Sequence, residues 1–382
     1  MGIFDSFSPT NWRDLAVALG FTPFQPSETY AQTFCYRRME RVRGMPATSS
    51  APSYSQWLWG KWRGVDAVVL QYDTGSGSNS TTWTAAIVRI DPPLWLGLDI
   101  TPENIFSRVF GSDDISVGHS SYDNALKINA SDHARASMLL SPADAHGQQM
   151  LNKMVDIFRA YVGRVSDSYV EVKQAGIHTV PGQVAAMLDS AAELAGWLRW
   201  RQSTLPPYRL IQAQQYEWQK FADANRFTFD SAQLVMSGIR DGVQVDISLE
   251  MEGQSPYPVL IARFPRPCPY EVFIRRTNVP GFLQGIFSQD IKVGNGMFDD
   301  AFKVQGNDEA GIRSWLARPA LLKALNDIVR FTDDLQINRV GLFMRFPGPV
   351  PTADNLEWLV AWSSVVSREL VGGSDPERGP YR

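Results

Sequence analysis

The chain has 382 residues, of which 44% are hydrophobic and 20% are charged, with a formal net charge of −4 at pH 7. These proportions are typical of a globular protein large enough for two hydrophobic cores, so we expect two domains. The slightly acidic balance gives no reason to expect nucleic acid or an anionic membrane as a partner.

The first predicted element is a helix over 11–19, whose apolar residues recur at helical spacing and which Gly20 ends. Alternating apolar residues then predict strands over 56–62, 65–72, 83–90 and 94–100. A Gly/Ser-rich stretch over 73–81 reads as a hairpin loop. It has neither the spacing of a dinucleotide fingerprint nor the Gly-Lys-Ser/Thr of a P-loop.

The rest of the first half is predicted to be mainly helical. Helices are expected over 133–140, 143–158 and 181–199, with a strand pair over 162–165 and 169–172 before the last of them. Asp132 is placed to cap the first of these helices. The first domain is therefore predicted over 1–202, followed by a linker over 203–211 that contains two prolines.

The sequence contains an internal duplication. Residues 114–132 align without a gap with residues 290–308, and eight of the nineteen positions are identical. The helix that starts near Trp12 likewise matches a segment that starts near Trp218. The second half is thus predicted to repeat the first over 212–371, followed by a polar, disordered tail over 372–382.

The two repeats differ in length at one place. The alignment offset falls from 206 residues at Trp12 and Trp218 to 178 at Gly64 and Gly242, so the first repeat carries about 28 additional residues, at about 28–56. A segment present in only one repeat is a better candidate for a specific function than the frame that both repeats share.

Adjacent strands joined by short turns predict an antiparallel sheet with helices packed on one face, which is the α+β class. The predicted fold is a tandem duplication of such a domain. We expect a pseudo-twofold relation between the two copies, as for similar faces that pair.

The run Phe298-Asp-Asp-Ala-Phe-Lys-Val304, followed by an Asp-capped helix ending near Leu316, resembles a pattern in uncharacterised bacterial proteins. In that pattern, a Phe-Asp-x-x-Phe-x-Val core precedes a Leu-rich helix, a strand pair and a closing helix. The first repeat departs from it, with Tyr122 and Leu126 in place of phenylalanine. The resemblance implies a bacterial cytoplasmic-type domain and assigns no activity.

Residues that both copies of the duplicated stretch keep are predicted to be structural. Carboxylates and glycines of this kind fix turns and cap helices. They are Asp114, Gly118, Asp123, Asp132, Asp290, Gly294, Asp299 and Asp308.

All four histidines lie in the first repeat: His119, His133, His146 and His178. One hypothesis places His119, Asp123 and His133 together in a metal-assisted hydrolase. The ligand spacing of zinc sites is missing, however, so we predict no metal, no cofactor and no catalytic residue.

Arginine and tryptophan are concentrated in and beside the insertion, and this composition is typical of protein-binding hot spots. The residues predicted to bind a partner are Arg37, Arg38, Arg41, Arg43, Trp57, Trp59 and Trp62. Single-stranded nucleic-acid platforms have a similar composition. The alternative is that the aromatic residues fill the core and that arginine lines a solvated edge strand.

The sequence therefore favours a non-enzymatic protein-binding or scaffold protein whose partner is another protein of unknown identity. A metal-assisted hydrolase and a single-stranded nucleic-acid binder remain the alternatives, and a homo-oligomer stays open. Only two cysteines, Cys35 and Cys268, are present, which favours the reducing cytoplasm. We predict no membrane span, because uninterrupted apolar runs of the required length are missing.

Overall fold

The computed structural model describes residues 9–23, 54–74, 80–103, 115–206, 209–252, 255–277, 290–329, 332, 334–346 and 352–372. The chain divides into two compact units, with the main boundary between Pro206 and Pro207. This boundary falls within the segment 203–211 that the sequence predicts as a linker. A helix nevertheless begins inside that segment, at Arg209.

The first unit combines helices and strands in alternation. Its described helices are α1 (Pro9–Leu19), α2 (Ser120–Asp123), α3 (His133–Leu139), α4 (Ala145–Ala160) and α5 (Pro181–Ser203). Its described strands are β1 (Thr22–Pro23), β2 (Tyr54–Trp62), β3 (Val65–Thr74), β4 (Thr81–Arg89), β5 (Asp99–Pro102), β6 (Leu126–Asn129), β7 (Val162–Ser166) and β8 (Tyr169–Ala175).

The second unit repeats this order of elements. Its described helices are α6 (Arg209–Asn225), α7 (Gly296–Ala301), α8 (Glu309–Leu316), α9 (Pro319–Val329) and α10 (Ala353–Gly372). Its described strands are β9 (Thr228–Asp230), β10 (Val235–Arg240), β11 (Val243–Glu252), β12 (Ser255–Arg263), β13 (Val272–Arg276), β14 (Phe302–Gly306), β15 (Asp334–Asn338) and β16 (Gly341–Arg345).

The described strands of each unit form one eight-stranded sheet. The first sheet has the order β1-β2-β3-β4-β8-β7-β5-β6, and the second has β9-β10-β11-β12-β16-β15-β13-β14. The pairings with a described register are antiparallel in both sheets. Because each strand has its counterpart at the same place in the other sheet, the predicted duplication of an α+β domain is confirmed.

The same tight turn joins the second and third strands of each sheet. Arg63 and Gly64 connect β2 to β3 with φ of 50° and 83°, and Asp241 and Gly242 connect β10 to β11 with φ of 52° and 79°. Two successive residues with positive φ characterise a type I′ turn, whose twist matches that of the flanking strands. The register of the two hairpins is therefore set locally, by the same turn in both units.

The connection between the first two strands of each sheet distinguishes the units. Strand β1 pairs with β2 through Thr22 and Trp59, and β9 pairs with β10 through Thr228 and Ser237. Residues 231–234 make this connection in the second unit. In the first unit it takes residues 24–53, which overlap the predicted insertion and lie outside the described residues.

Helices cover one face of the first sheet. Leu15 of α1, Leu151 of α4 and Leu188 of α5 belong to one buried cluster with Ala86 and Val88 of β4. A second, separate cluster lies on the opposite face of the same sheet, which we call the far face. It comprises Val68, Leu70, Tyr72, Ala85, Ile87 and Tyr169. The central strands thus bury apolar side chains on both faces.

The prediction of a strand over 94–100 is wrong for its first part, because only Asp99–Pro102 forms β5. Trp95 and Gly97 have φ of 58° and 62°, which extended backbone does not adopt. The backbone N–H groups of Leu96, Gly97 and Leu98 donate to the carboxylate of Asp167 instead of to a neighbouring strand. A distant side chain has therefore replaced the sheet ladder, which local apolar alternation does not reveal.

Candidate functional site

The aspartate in the middle of the duplicated stretch closes a turn in both units. Asp123 accepts a hydrogen bond from the Val117 N–H at 2.8 Å, and Asp299 accepts one from the Val293 N–H at 2.8 Å. The next residues, Gly118 and Gly294, have φ of 77° and 88°, a conformation that favours glycine. The shared Asp and Gly therefore act on the backbone of one turn.

The aspartate that begins the second copy accepts a hydrogen bond from a backbone N–H group on the outer edge of a strand. Asp290 accepts a hydrogen bond from the Val304 N–H at 3.0 Å, while the Ile291 N–H donates to the Val304 carbonyl at 2.8 Å. Val304 lies on the edge strand β14, so both of its outward backbone groups are paired. In the first unit the Ile115 N–H likewise donates to the Ile128 carbonyl, and Asp114 lies outside the described residues.

The last aspartate of each copy caps the helix that follows. Asp132 accepts from the Arg135 N–H and Asp308 accepts from the Gly311 N–H, each at 2.9 Å. Such caps satisfy backbone donors that a helix leaves free at its first turn. The described carboxylates of the duplicated stretch thus accept hydrogen bonds from backbone N–H groups, which gives them a structural role.

We expect Asp299→Ala to lower the free energy of unfolding of the second unit by about 2 kcal/mol, because Val293 and Gly294 lose their acceptor. Urea unfolding followed by tryptophan fluorescence measures the change. Asp300→Ala, at the exposed neighbour on the same helix, is the matched control and is expected to change stability by less than about 0.5 kcal/mol. Equal effects of the two substitutions would contradict the structural role of Asp299.

A buried carboxylate that the sequence did not single out lies in the turn between β7 and β8. Asp167 accepts from the N–H groups of Leu96, Gly97 and Leu98 at 2.9, 2.6 and 3.1 Å. Burial raises the pKa of Asp167 to about 6, although the three N–H donors act to lower it. This side chain fixes the irregular segment that leads into β5.

The second unit fixes the equivalent segment by different chemistry. The backbone bond from Leu94 N–H to Asp167 carbonyl has its counterpart in the bond from Cys268 N–H to Arg339 carbonyl. Arg339 therefore occupies the position of Asp167, and its guanidinium forms an ion pair with Glu271. A buried carboxylate in one unit corresponds to a half-exposed ion pair in the other. The two units therefore share the backbone hydrogen bond at this turn and differ in the side chain that the turn carries.

Three of the histidines make separate local contacts. His119 hydrogen-bonds Ser121, His146 stacks near Trp200 with ring centroids 4.8 Å apart, and His178 contacts the Ala175 carbonyl. Across the described ranges, no set of three or more His, Cys, Asp or Glu side chains is placed to hold a metal ion. The structure therefore does not bring His119, Asp123 and His133 together as ligands.

The far face of the first sheet carries the clearest difference between the units. Trp59 is paired with Val68 across β2 and β3, and the next position of β3 on this face is Leu70. Their counterparts in the second unit are Ser237, Asp246 and Ser248, where the Ser237 hydroxyl donates to Asp246. At these three positions, apolar residues of the first unit thus correspond to polar residues of the second.

Trp59 stands at the rim of this face. Its side chain is 38% exposed, whereas Val68 and Leu70 beside it are buried. Lys61, two residues along β2, forms an ion pair with Asp66 at 2.8 Å, and Arg89 approaches the same carboxylate at 3.5 Å. We call Trp59, Lys61, Asp66 and Arg89 the Trp59 patch. It combines one large aromatic surface with more cationic than anionic side chains.

A polar cluster continues the far face beyond this patch. Lys173 donates to the Tyr72 hydroxyl at 3.1 Å and lies 5.0 Å from the ring centroid of Trp83. The Tyr72 hydroxyl in turn donates to Glu171 at 3.4 Å. Because these polar groups pair with one another, the cluster orders the face and supplies no evident nucleophile.

The residues predicted to bind a partner separate in the structure. Trp59 lies on the far face, and Trp62 packs toward the helices, edge-on to Phe21 and hydrogen-bonded to Asp189 at 2.8 Å. The backbone of Trp57 belongs to β2, but its side chain is not described. Arg37, Arg38, Arg41 and Arg43 lie outside the described residues.

One sequence signal for the far face was available and was not used. Residues 67–70 form an uninterrupted apolar run, and such runs are typical of strands buried on both faces. Asp167 gave no comparable signal, since its partners lie about 70 positions earlier in the chain.

None of the helices in the described part of the chain is long and apolar enough to cross a membrane.

The fold defines an α+β protein with two copies of one antiparallel-sheet domain. No protein family matches the chain, and no curated protein matches it. Among solved structures, the chain is similar to the mycobacterial trehalose monomycolate transport factor A, TtfA. The match covers 53% of this chain and 99% of that chain, with 11% sequence identity and a TM-score of 0.32. A TM-score this low carries no inference about function.

Proposed function

We propose that the protein is a non-enzymatic binding or scaffold protein of the cytoplasm, and that it holds a partner protein on the Trp59 patch. The observation that carries this proposal is the exposed Trp59 on the far face, whose counterpart in the second unit is Ser237. Tryptophan and arginine are the residue types enriched among those that contribute most to binding at protein interfaces.

The duplication supports a binding role because it shows which residues both units need for folding and which residues only one unit has. Both units use the same aspartates for turns and caps, so that chemistry serves the fold. The aromatic surface is found where the counterpart residues are Ser237 and Asp246. Selection for folding alone does not require Trp59 at a position that serine fills in the same fold.

Site-specific crosslinking tests the proposal. A photoreactive phenylalanine analogue at position 59 is expected to form a covalent adduct with one protein of the native host. The same analogue at position 237, the counterpart in the second unit, is expected to form none. The captured protein is then purified and its affinity for the unlabelled chain is measured.

Trp59→Ala is expected to weaken that affinity by about thirtyfold, as for an aromatic hot spot. Trp200→Ala is the matched control, because Trp200 is 42% exposed in the same unit but lies on α5. Equal losses in the two variants would contradict the proposed surface. Steeply salt-dependent binding of single-stranded DNA that requires Trp59 would instead support the nucleic-acid alternative.

A further inference from the structure

A row of four polar residues crosses the first sheet on its helix-covered face. It begins at Gln56 of β2, which is paired with Gln71 and whose side chain is not described. Gln71 of β3 is paired with Thr84 of β4, and Thr84 is paired with Gln174 of β8. Cross-strand partners of this kind have neighbouring side chains. Gln174 is exposed, whereas Thr84 and Gln71 are completely buried. The row therefore runs from the surface into the core.

The second unit has an apolar row at the same place. The hairpin and strand registers put Leu249 at the position of Gln71, Pro258 at that of Thr84, and Phe346 at that of Gln174. All three are buried. The fold thus accepts an apolar row here, and the polar residues of the first unit need another explanation.

Thr84 has its hydrogen bonds satisfied within the protein. Its hydroxyl donates to the Gly176 carbonyl at 2.8 Å and accepts from the His178 N–H at 3.0 Å. Gln71 differs, because neither its amide nitrogen nor its amide oxygen has a hydrogen-bond partner among the described residues. A buried amide with both polar atoms unpaired is rare, since it has given up its hydration without compensation.

We propose that Gln71 holds an internal water molecule in the core of the first unit. Water both donates and accepts, so a single molecule pairs with the amide oxygen and the amide nitrogen of Gln71. Internal waters are typically found where buried polar groups lack protein partners. The second unit has no need of such a water, because Leu249 occupies the position of Gln71.

A high-resolution crystal structure of the full chain tests the proposal directly. Electron density for one water is expected within hydrogen-bond distance, about 2.7–3.2 Å, of the Gln71 amide. Gln71→Met keeps the length of the side chain and removes its hydrogen-bonding groups. It is expected to lower the Tm of the first unit by about 3 °C or more, because the water loses its partners.

If the Gln71 amide is instead dry and unpaired, the expected change in Tm has the opposite sign. In that case Gln71→Met relieves an unsatisfied group, so a rise in Tm would overturn the proposal, as would wild-type density that lacks the water. Gln174→Met, at the exposed end of the same row, is the matched control and is expected to leave Tm within about 1 °C.

Discussion

Replacing Asp167 by alanine is expected to lower the free energy of unfolding of the first unit by about 3 kcal/mol. The substitution leaves the N–H groups of Leu96, Gly97 and Leu98 without their acceptor in a buried place. The segment around Trp95 has positive φ at two residues and belongs to no strand, so no sheet ladder can replace Asp167 as the acceptor of these N–H groups. Urea unfolding gives the stability, and hydrogen exchange at 96–98 reports the local release.

Two opposing terms decide the size of this effect. Burial of the charged carboxylate is unfavourable, and it raises the pKa of Asp167 from 3.8 to about 6 although the three N–H donors lower it. Three hydrogen bonds to a charged acceptor contribute about 1.5–3 kcal/mol each, and their loss leaves unsatisfied donors. Removal of the side chain leaves the N–H groups of Leu96, Gly97 and Leu98 buried without an acceptor, which is why the substitution is destabilising.

The second unit provides the matched control. Arg339→Ala removes the side chain at the equivalent position, but its ion pair with Glu271 is half exposed and is expected to contribute less than about 1 kcal/mol. A loss as large as that of Asp167→Ala would show that the position, and not the buried carboxylate, determines stability.

The pH dependence of stability separates the effect of the charge of Asp167 from the effect of its size and shape, because Asp167→Asn keeps the shape and cannot ionise. Because the folded-state pKa of Asp167 is raised, its proton-linked stabilisation is fully present below about pH 3.8 and is lost as pH rises through about 6. The stability of the wild-type chain relative to Asp167→Asn is therefore expected to fall between pH 4 and 7. A constant difference across this range would contradict the raised pKa.

Adding one methyl group at Gly238 is expected to destabilise the second unit by about 3 kcal/mol. A Cβ atom there would overlap the ring of Phe227, which is buried and edge-on to Phe221 with ring centroids 5.4 Å apart. The Phe227 N–H also donates to the Ala222 carbonyl at 2.9 Å, so the backbone resists a shift. Thermal and urea unfolding of Gly238→Ala measure the cost.

The first unit contains the same contact, which makes the prediction a paired one. A Cβ atom at Gly60 would overlap the ring of Phe21, whose N–H donates to the Ala16 carbonyl at 2.8 Å. Gly60→Ala is therefore expected to destabilise the first unit by a similar amount, about 3 kcal/mol. A destabilisation in only one unit would show that the contacts of Gly60 with Phe21 and of Gly238 with Phe227 are not equivalent.

A helical glycine with free space around it controls for the loss of glycine itself. Gly196 of α5 has no atom within 4 Å of an added Cβ, so Gly196→Ala is expected to stabilise by about 1 kcal/mol. Combining Gly238→Ala with Phe227→Ala is expected to cost less than the sum of the two changes, because the overlap is removed. Additive costs would locate the strain elsewhere.

Much of the architecture follows from the sequence because its cause is local. Helix α8 has the predicted Asp cap and ends at Leu316 as predicted, since Asp308 binds the N–H of its first turn and apolar residues recur at helical spacing. The type I′ turns at Gly64 and Gly242 set the hairpin registers for a similar local reason. The duplication then carried these assignments from one half of the chain to the other.

The candidate site could be predicted from the sequence only in part. The sequence grouped Trp59 with Trp62, but alternation along β2 sends their side chains to opposite faces of the sheet. Which of the two faces the helices cover depends on contacts between β2 and distant elements, such as the bond from Trp62 to Asp189. Spacing along the chain does not contain that information.

By itself the sequence determined that this protein is a duplicated α+β domain, because the repeated apolar spacing and turn residues act over a few neighbouring positions. Only the tertiary structure decided what the shared aspartates bind, which face Trp59 occupies, and that Asp167 and Arg339 are counterparts. Those properties arise when segments many residues apart meet and exclude water. Side-chain hydrogen bonds and burial are then set by three-dimensional neighbours and no longer by position in the chain.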